Sequence, residues 1–73
     1  MDLNALASFV AAAETLNFSR AAERRNTVQS AISAQIGKLE AELDCRLFDR
    51  GRGRAMRLTA RGEALLAYAR RIL

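Results

Sequence analysis

The sequence predicts a mainly α fold: a three-helix core, a small two-stranded β wing and a fourth helix running on from the wing. Three observations carry that expectation. Apolar residues recur at helical spacing in separate stretches, Asn26-Thr27 leaves room only for a tight turn between two of them, and two short extended pieces flank Gly51 and Gly53.

The first helix is expected from Asp2 to Thr15. Leu3, Leu6, Phe9, Val10 and Ala13 fall on one side, and Asp2 is a suitable N-cap. Leu16-Asn17-Phe18 breaks the pattern. Ser19 is a candidate cap for a short second helix, "RAAERR", with Asn17 competing to start it earlier; Ala21 and Ala22 allow a crossing helix to approach closely. The third helix is expected from about Val28 to Leu43, closing at Asp44. Ile32, Ile36, Leu39 and Leu43 share one face at steps of four, three and four. The opposite face holds Ser30, Ala34, Gly37 and Ala41, with Ser33 on its flank. A solvent-facing stripe normally carries Lys, Glu and Arg. This one is small and uncharged, and includes a glycine that costs about 1 kcal/mol relative to alanine. Something is expected to come close enough that long side chains would obstruct it.

Extended pieces near Arg46–Asp49 and Ala55–Leu58 then form a small hairpin with arginines exposed at its tip. Thr59 caps the fourth helix, where Leu65, Leu66, Tyr68, Ala69, Ile72 and Leu73 make a broad apolar face. That pattern reaches the last residue without a Gly or Pro to end it, so a longer helix is expected to have been cut short.

Composition narrows the chemistry. Twelve basic residues face eight acidic ones across 73 residues, a net charge of +4, and Lys38 is the only basic residue that is not arginine. Residues 1–19 contain no basic residue, whereas residues 46–61 hold six arginines against Asp49 alone. Such a local concentration points to phosphate contact rather than to a merely solvated loop. Cys45 is the only cysteine and there is no histidine, so an intrachain disulfide is excluded and no zinc site or cofactor is expected. The commonest nucleophile–base pairs are excluded too, and an enzyme is not expected. Cys45 itself reads as a small apolar residue rather than a redox-sensing thiol. No apolar run has the length of a membrane span, and the N-terminus reads as an amphipathic start rather than a leader, so a cytoplasmic location is expected.

Two helices joined by a tight turn, the second with a small polar outer face, make a helix-turn-helix; with the adjacent hairpin it is a winged one. The partner expected on the small stripe is the major groove of double-stranded DNA, which is wide enough to admit a helix. Gln29 can pair bidentately with adenine, and Ser30 and Ser33 can bond base edges or phosphates. A protein–protein module working through Leu65 to Leu73 is the second reading. An RNA-binding role is weaker, because Phe9, Phe18 and Phe48 read as core and leave no stacking platform.

The stretches "LNFSRAAERR", "AISAQIGKLEAEL", "RLFDR" and "RLTARGEALL" resemble the N-terminal domain of LysR-type transcriptional regulators from Leu3 to the last residue. The resemblance implies a winged helix-turn-helix over residues 1–58 that binds DNA as a homodimer. It implies that residues 59–73 begin a linker helix, which pairs with its counterpart through Leu65, Leu66, Tyr68, Ala69, Ile72 and Leu73. A tetramer is compatible with a full-length chain, and a small-molecule inducer would act through a C-terminal domain that is not in this sequence. By position, Gln29, Ser30 and Ser33 are carried over as groove contacts, with Ala34 and Gly37 along the same stripe and Thr27 at its entrance. Ser19, Arg20 and Lys38 are carried over as backbone contacts, and Arg50, Arg52 and Arg54 as wing contacts.

The sequence departs from the family pattern in five places. Ala34 stands where arginine often reads bases, so readout is expected to be lost or moved to the wing. Arg25 stands at a usually apolar core position and must snorkel or move outward. Thr27-Val28 replaces an apolar residue followed by Ser or Thr, which shifts the expected cap to Thr27. Asp44 replaces a helix-ending glycine. The wing "GRGRAM" is one residue longer than common forms.

Overall fold

The computed structural model describes residues 1–73 as α1 (Leu3–Thr15), α2 (Phe18–Arg24), α3 (Gln29–Leu43), β1 (Phe48–Asp49), β2 (Arg57–Leu58) and α4 (Ala60–Ile72). The helix ends follow local chemistry. The Asp2 carboxylate accepts the Ala5 N–H at 2.7 Å and starts α1. Leu16 turns left-handed at φ 50°, and its N–H closes α1 on the Ala12 carbonyl at 2.8 Å. Of the two candidate caps for α2, Asn17 wins: its Oδ1 accepts the Arg20 N–H at 3.0 Å, so the helix begins at Phe18 and Ser19 lies inside its first turn. α3 starts one residue later than expected, and Thr27 does not cap it. Val28 takes the extended cap conformation with no side-chain hydrogen bond, while the Thr27 N–H is held by the Ala22 carbonyl at 2.9 Å. Asn26 and Asp44 both turn left-handed, at φ 55° and 52°, so Asp44 adopts the conformation that glycine would supply.

The wing strands pair antiparallel with Phe48 opposite Leu58 and Asp49 opposite Arg57. They are shorter than the sequence predicts because the flanking backbone groups bond elsewhere. The Leu47 N–H goes to the Glu40 carboxylate at 2.8 Å, and the Arg46 carbonyl accepts from the Thr59 hydroxyl at 2.6 Å. Thr59 also caps α4, accepting the Gly62 N–H at 3.0 Å. Gly62 is buried where α4 leaves the wing. A Cβ there would overlap the Leu47 carbonyl oxygen, which already accepts the Thr59 N–H at 3.0 Å.

The core forms between α1, α2, α3 and the wing base. Phe9, Ile32, Ile36, Leu39 and Leu47 are fully enclosed. The Phe48 ring joins those of Phe9 and Phe18, with centroids 5.6 and 5.5 Å away. Two residues expected on the apolar faces are not enclosed: Leu3, in the first turn of α1, is 63% exposed, and Leu43, in the last turn of α3, is 37% exposed. Cys45 is half-buried against the core, as a small apolar residue would be.

α4 packs on α1, and part of the apolar face expected to meet a second copy is occupied within this chain. Ala69 is fully buried within this chain, and Leu65 and Leu66 are half-buried against its core. Only Tyr68, Ile72 and Leu73 of that set remain about half exposed. The reason is the width of the apolar stripe: α4 needs part of it to attach to its own domain. Glu14 adds a polar tie, bonding Arg70 of α4 at 3.1 Å and Arg24 of α2. These two guanidiniums, Arg70 foremost, hold its carboxyl below the usual range.

Arg25 is half-buried, and its guanidinium bends back to α1. It donates to the Ser8 hydroxyl at 3.4 Å, to the Asn4 side-chain carbonyl and to the Asn4 backbone carbonyl at 3.5 Å. A polar crevice of about 190 Å³ lies here, lined by Asn4, Ser8, Arg25, Thr27 and Gln35.

Candidate nucleic-acid interface

The burial of Ile32, Ile36 and Leu39 fixes the rotation of α3 and turns its other face to solvent. Gln29, Ser30, Ala34, Gly37, Lys38 and Ala41 are exposed along that face, with Ser33 half-buried at its edge. A Cβ built on Gly37 meets no atom within 4 Å. The outer stripe is therefore an open surface of small side chains over several turns, with Lys38 as its single charge.

The start of α2 lies beside the start of α3. Ser19 and Arg20 are exposed in the first turn of α2, and the Ser19 hydroxyl donates to Gln29 Oε1 at 2.9 Å. Arg50 joins this end of the molecule, its guanidinium carbon 4.6 Å from the centroid of the Phe18 ring. Since Phe18 is packed edge-on against Phe48, the core itself orients this charge. Thr27 is exposed just before α3.

The wing arginines divide. Arg52 is exposed and makes no ion pair. Arg54, expected at the tip with it, is folded back: its guanidinium meets the Asp49 carboxylate at 2.8 Å and covers Gly51, where a Cβ would collide with it. Arg57 reaches the same carboxylate at 3.5 Å. The Gly51 N–H, and then Arg54, hold the Asp49 carboxyl below the usual range. The turn passes through Gly53 at φ 71°, where a side chain would be strained. Arg20, Lys38 and Arg50, like Arg52, have no carboxylate partner. An open groove of about 420 Å³ lies at the base of the wing, lined by Arg46, Phe48, Asp49, Arg50, Gly51 and Thr59. Asp49 as the hub of the wing and the Ser19–Gln29 link were not among the sequence-derived assignments. A carboxylate set among six arginines was the available signal for the first; the second joins residues ten apart and had none.

Helix, tight turn, outward-facing helix and a paired basic hairpin define a winged helix-turn-helix domain. Residues 3–63 match the bacterial regulatory helix-turn-helix protein, lysR family. The chain belongs to that family.

Over all 73 residues it is 53% identical to an uncharacterised HTH-type transcriptional regulator from the ibpB-leuC intergenic region of Azotobacter vinelandii, covering 50% of that protein. Over 64 residues, 88% of this chain, it is 50% identical to the HTH-type transcriptional activator AmpR of Citrobacter freundii, covering 22% of it. The chain thus spans between about a fifth and a half of these relatives' length. Among solved structures, the CbnR DNA-binding domain in complex with DNA superposes with a TM-score of 0.90 at 42% identity, over 99% of this chain and 82% of that one. The BenM DNA-binding domain in complex with benA site 1 DNA gives 0.91 at 36% identity, over 99% and 80%. No helix of the chain is long and apolar enough to cross a membrane.

Proposed function

We propose that this chain is the sequence-specific, double-stranded-DNA-binding part of a transcriptional regulator, with α3 in the major groove and the wing on the sugar–phosphate backbone or in the minor groove. The observation that carries this reading is the open stripe of α3, a helix face with nothing within 4 Å of the Gly37 Cβ position, together with the exposed and unpaired Arg20, Lys38, Arg50 and Arg52. Small side chains let a helix axis sit deep in the groove, and unpaired cations beside it meet phosphates without first breaking an internal ion pair. Family membership and the DNA complexes of CbnR and BenM support DNA as the partner.

In this reading Gln29, Ser30 and Ser33 address base edges, with Ala34 and Gly37 giving clearance. Arg20, Thr27 and Lys38 lie along the backbone, Ser19 turns its hydroxyl to Gln29, and Arg50, Arg52 and Arg54 serve the wing. Residues 1–58 form the DNA-binding unit and 59–73 the start of a linker helix. The exposed Tyr68, Ile72 and Leu73 meet a second copy, as a two-fold operator requires. The protein acts in the cytoplasm and not as an enzyme, and any inducer acts through a further domain.

Selection of bound sequences from a randomised duplex pool, combined with a salt titration of the winner, tests the reading. The expected result is enrichment of one motif and a linear fall of log affinity with log salt. Absence of any enriched motif would overturn it.

A further inference from the structure

We propose that Ser19 is a positioning residue for Gln29: it holds the glutamine amide so that its NH2 group leads toward the groove and selects a purine edge. This inference rests on the groove reading above. The Ser19 hydroxyl donates to Gln29 Oε1 at 2.9 Å, the one side-chain hydrogen bond linking α2 to α3. Both ends of the link are anchored. Ser19 follows the buried Phe18 and precedes the enclosed Ala21 and Ala22; Gln29 is the first residue of α3, three before the enclosed Ile32.

Two physical consequences follow. A glutamine free in solvent loses rotamer freedom when it meets a base; one already held loses that freedom on folding, so the contact discriminates more sharply. The polarity of the link also matters. A hydroxyl donating to Oε1 occupies one of its lone pairs and directs both Nε2 hydrogens away from α2. A group that offers donors first, with one acceptor lone pair in reserve, matches the major-groove edge of a purine, where N7 accepts. Guanine adds O6 as a second acceptor, and adenine adds an N6 donor that the remaining lone pair can take. Cytosine presents a donor alone in the groove and thymine a single acceptor beside a methyl group. The outward-facing donors therefore disfavour a pyrimidine on the contacted strand. Ser19 acts through Gln29 in this arrangement, which differs from a simple phosphate contact.

The test uses the 73-residue chain, the duplex it enriches from a randomised pool, and versions of that duplex changed at the base pair where Gln29→Ala loses preference. The parent is expected to prefer a purine there by about tenfold, in line with a good side-chain–base pair. Ser19→Ala should lower that preference to about twofold while leaving affinity for random duplex and the melting temperature close to the parent's. Ser19→Thr, which keeps the hydroxyl, should restore it. In a Gln29→Ala background, Ser19→Ala should change the preference no further. A uniform loss on all duplexes would make Ser19 a phosphate contact and overturn the proposal. So would independent effects of the two substitutions, or a parental preference for a pyrimidine. If the parent enriches no sequence at all, the groove reading itself fails and this proposal with it.

Discussion

The outer face of α3 and the wing both point away from the core, yet they are held in opposite ways. α3 is rotated and clamped by Ile32, Ile36 and Leu39, all fully enclosed, and its outer face has almost no charge. The wing has two residues in each strand, and its loop is organised by one carboxylate, Asp49, that gathers the Gly51 N–H, Arg54 and Arg57. In the proposed docking, apolar burial fixes the surface that meets base edges, while a surface network with high exposure leaves a charged loop able to adapt to a backbone of regular charge. In that docking the two outward elements divide precision from attraction.

Cutting the clamp should produce the largest effect. Ile36→Ala removes enclosed volume beneath the small stripe and should destabilise the fold by about 2–5 kcal/mol. Chemical denaturation measures it. A loss under about 1 kcal/mol would show that α3 is not held as described. The wing has no comparable single anchor in its loop.

Gly37 separates stability from binding on the α3 side. Gly37→Glu should leave the melting temperature within a few degrees of the parent, since a Cβ there meets open space. It should weaken duplex binding by about tenfold or more, because a carboxylate would lie against phosphates or the groove wall. Gly37→Ala should instead stabilise the free protein by up to about 1 kcal/mol. Paired thermal melts and duplex titrations read both. Parent-like binding by the Glu variant would confine groove entry to the first turn, from Gln29 to Ser33.

On the wing, Arg52→Ala should weaken binding to every duplex alike and flatten the salt slope by about 1. Arg54→Ala should do less, because Arg54 is already paired with Asp49 and must be released before it meets a phosphate. Equal slopes for the two variants would contradict the division of the wing arginines.

The smallest effect is on pH. Asp49 and Glu14 both have carboxyl groups held below their usual range by hydrogen-bonded partners. Their stabilising contribution is present above the ordinary carboxylate pKa and is lost as pH falls through the lowered one. Because both carboxylates sit at the surface, the loss is slight. The Gly51 amide resonance should shift only at a pH below the ordinary carboxylate range, and a shift within that range would show that the wing network does not hold Asp49.

How much of this was legible follows from range. The helices, their order and the buried face of α3 were readable because hydrophobic spacing is local; Ile32, Ile36 and Leu39 declare it within eight residues. Thr59 as a cap was readable for the same reason. The strand ends were not, because the Leu47 N–H and the Arg46 carbonyl are claimed by Glu40 and Thr59 from other elements. The apolar face of α4 showed its width but not its division between its own domain and solvent. Arg25 could be seen to need an exit, while its partners Asn4 and Ser8, far off in the chain, could not be named from spacing.

The seat of Gly62 against Leu47 has a mechanical consequence. α4 cannot slide or roll at its first turn without displacing the Leu47 carbonyl, and Leu47 leads directly into β1. The base of the wing and the root of the fourth helix are therefore joined as one unit, and the Glu40 carboxylate ties that unit to α3 through the Leu47 N–H. Hydrogen exchange at Thr59 and Gly62, whose N–H groups bond the Leu47 carbonyl and the Thr59 hydroxyl, should accordingly rise and fall together.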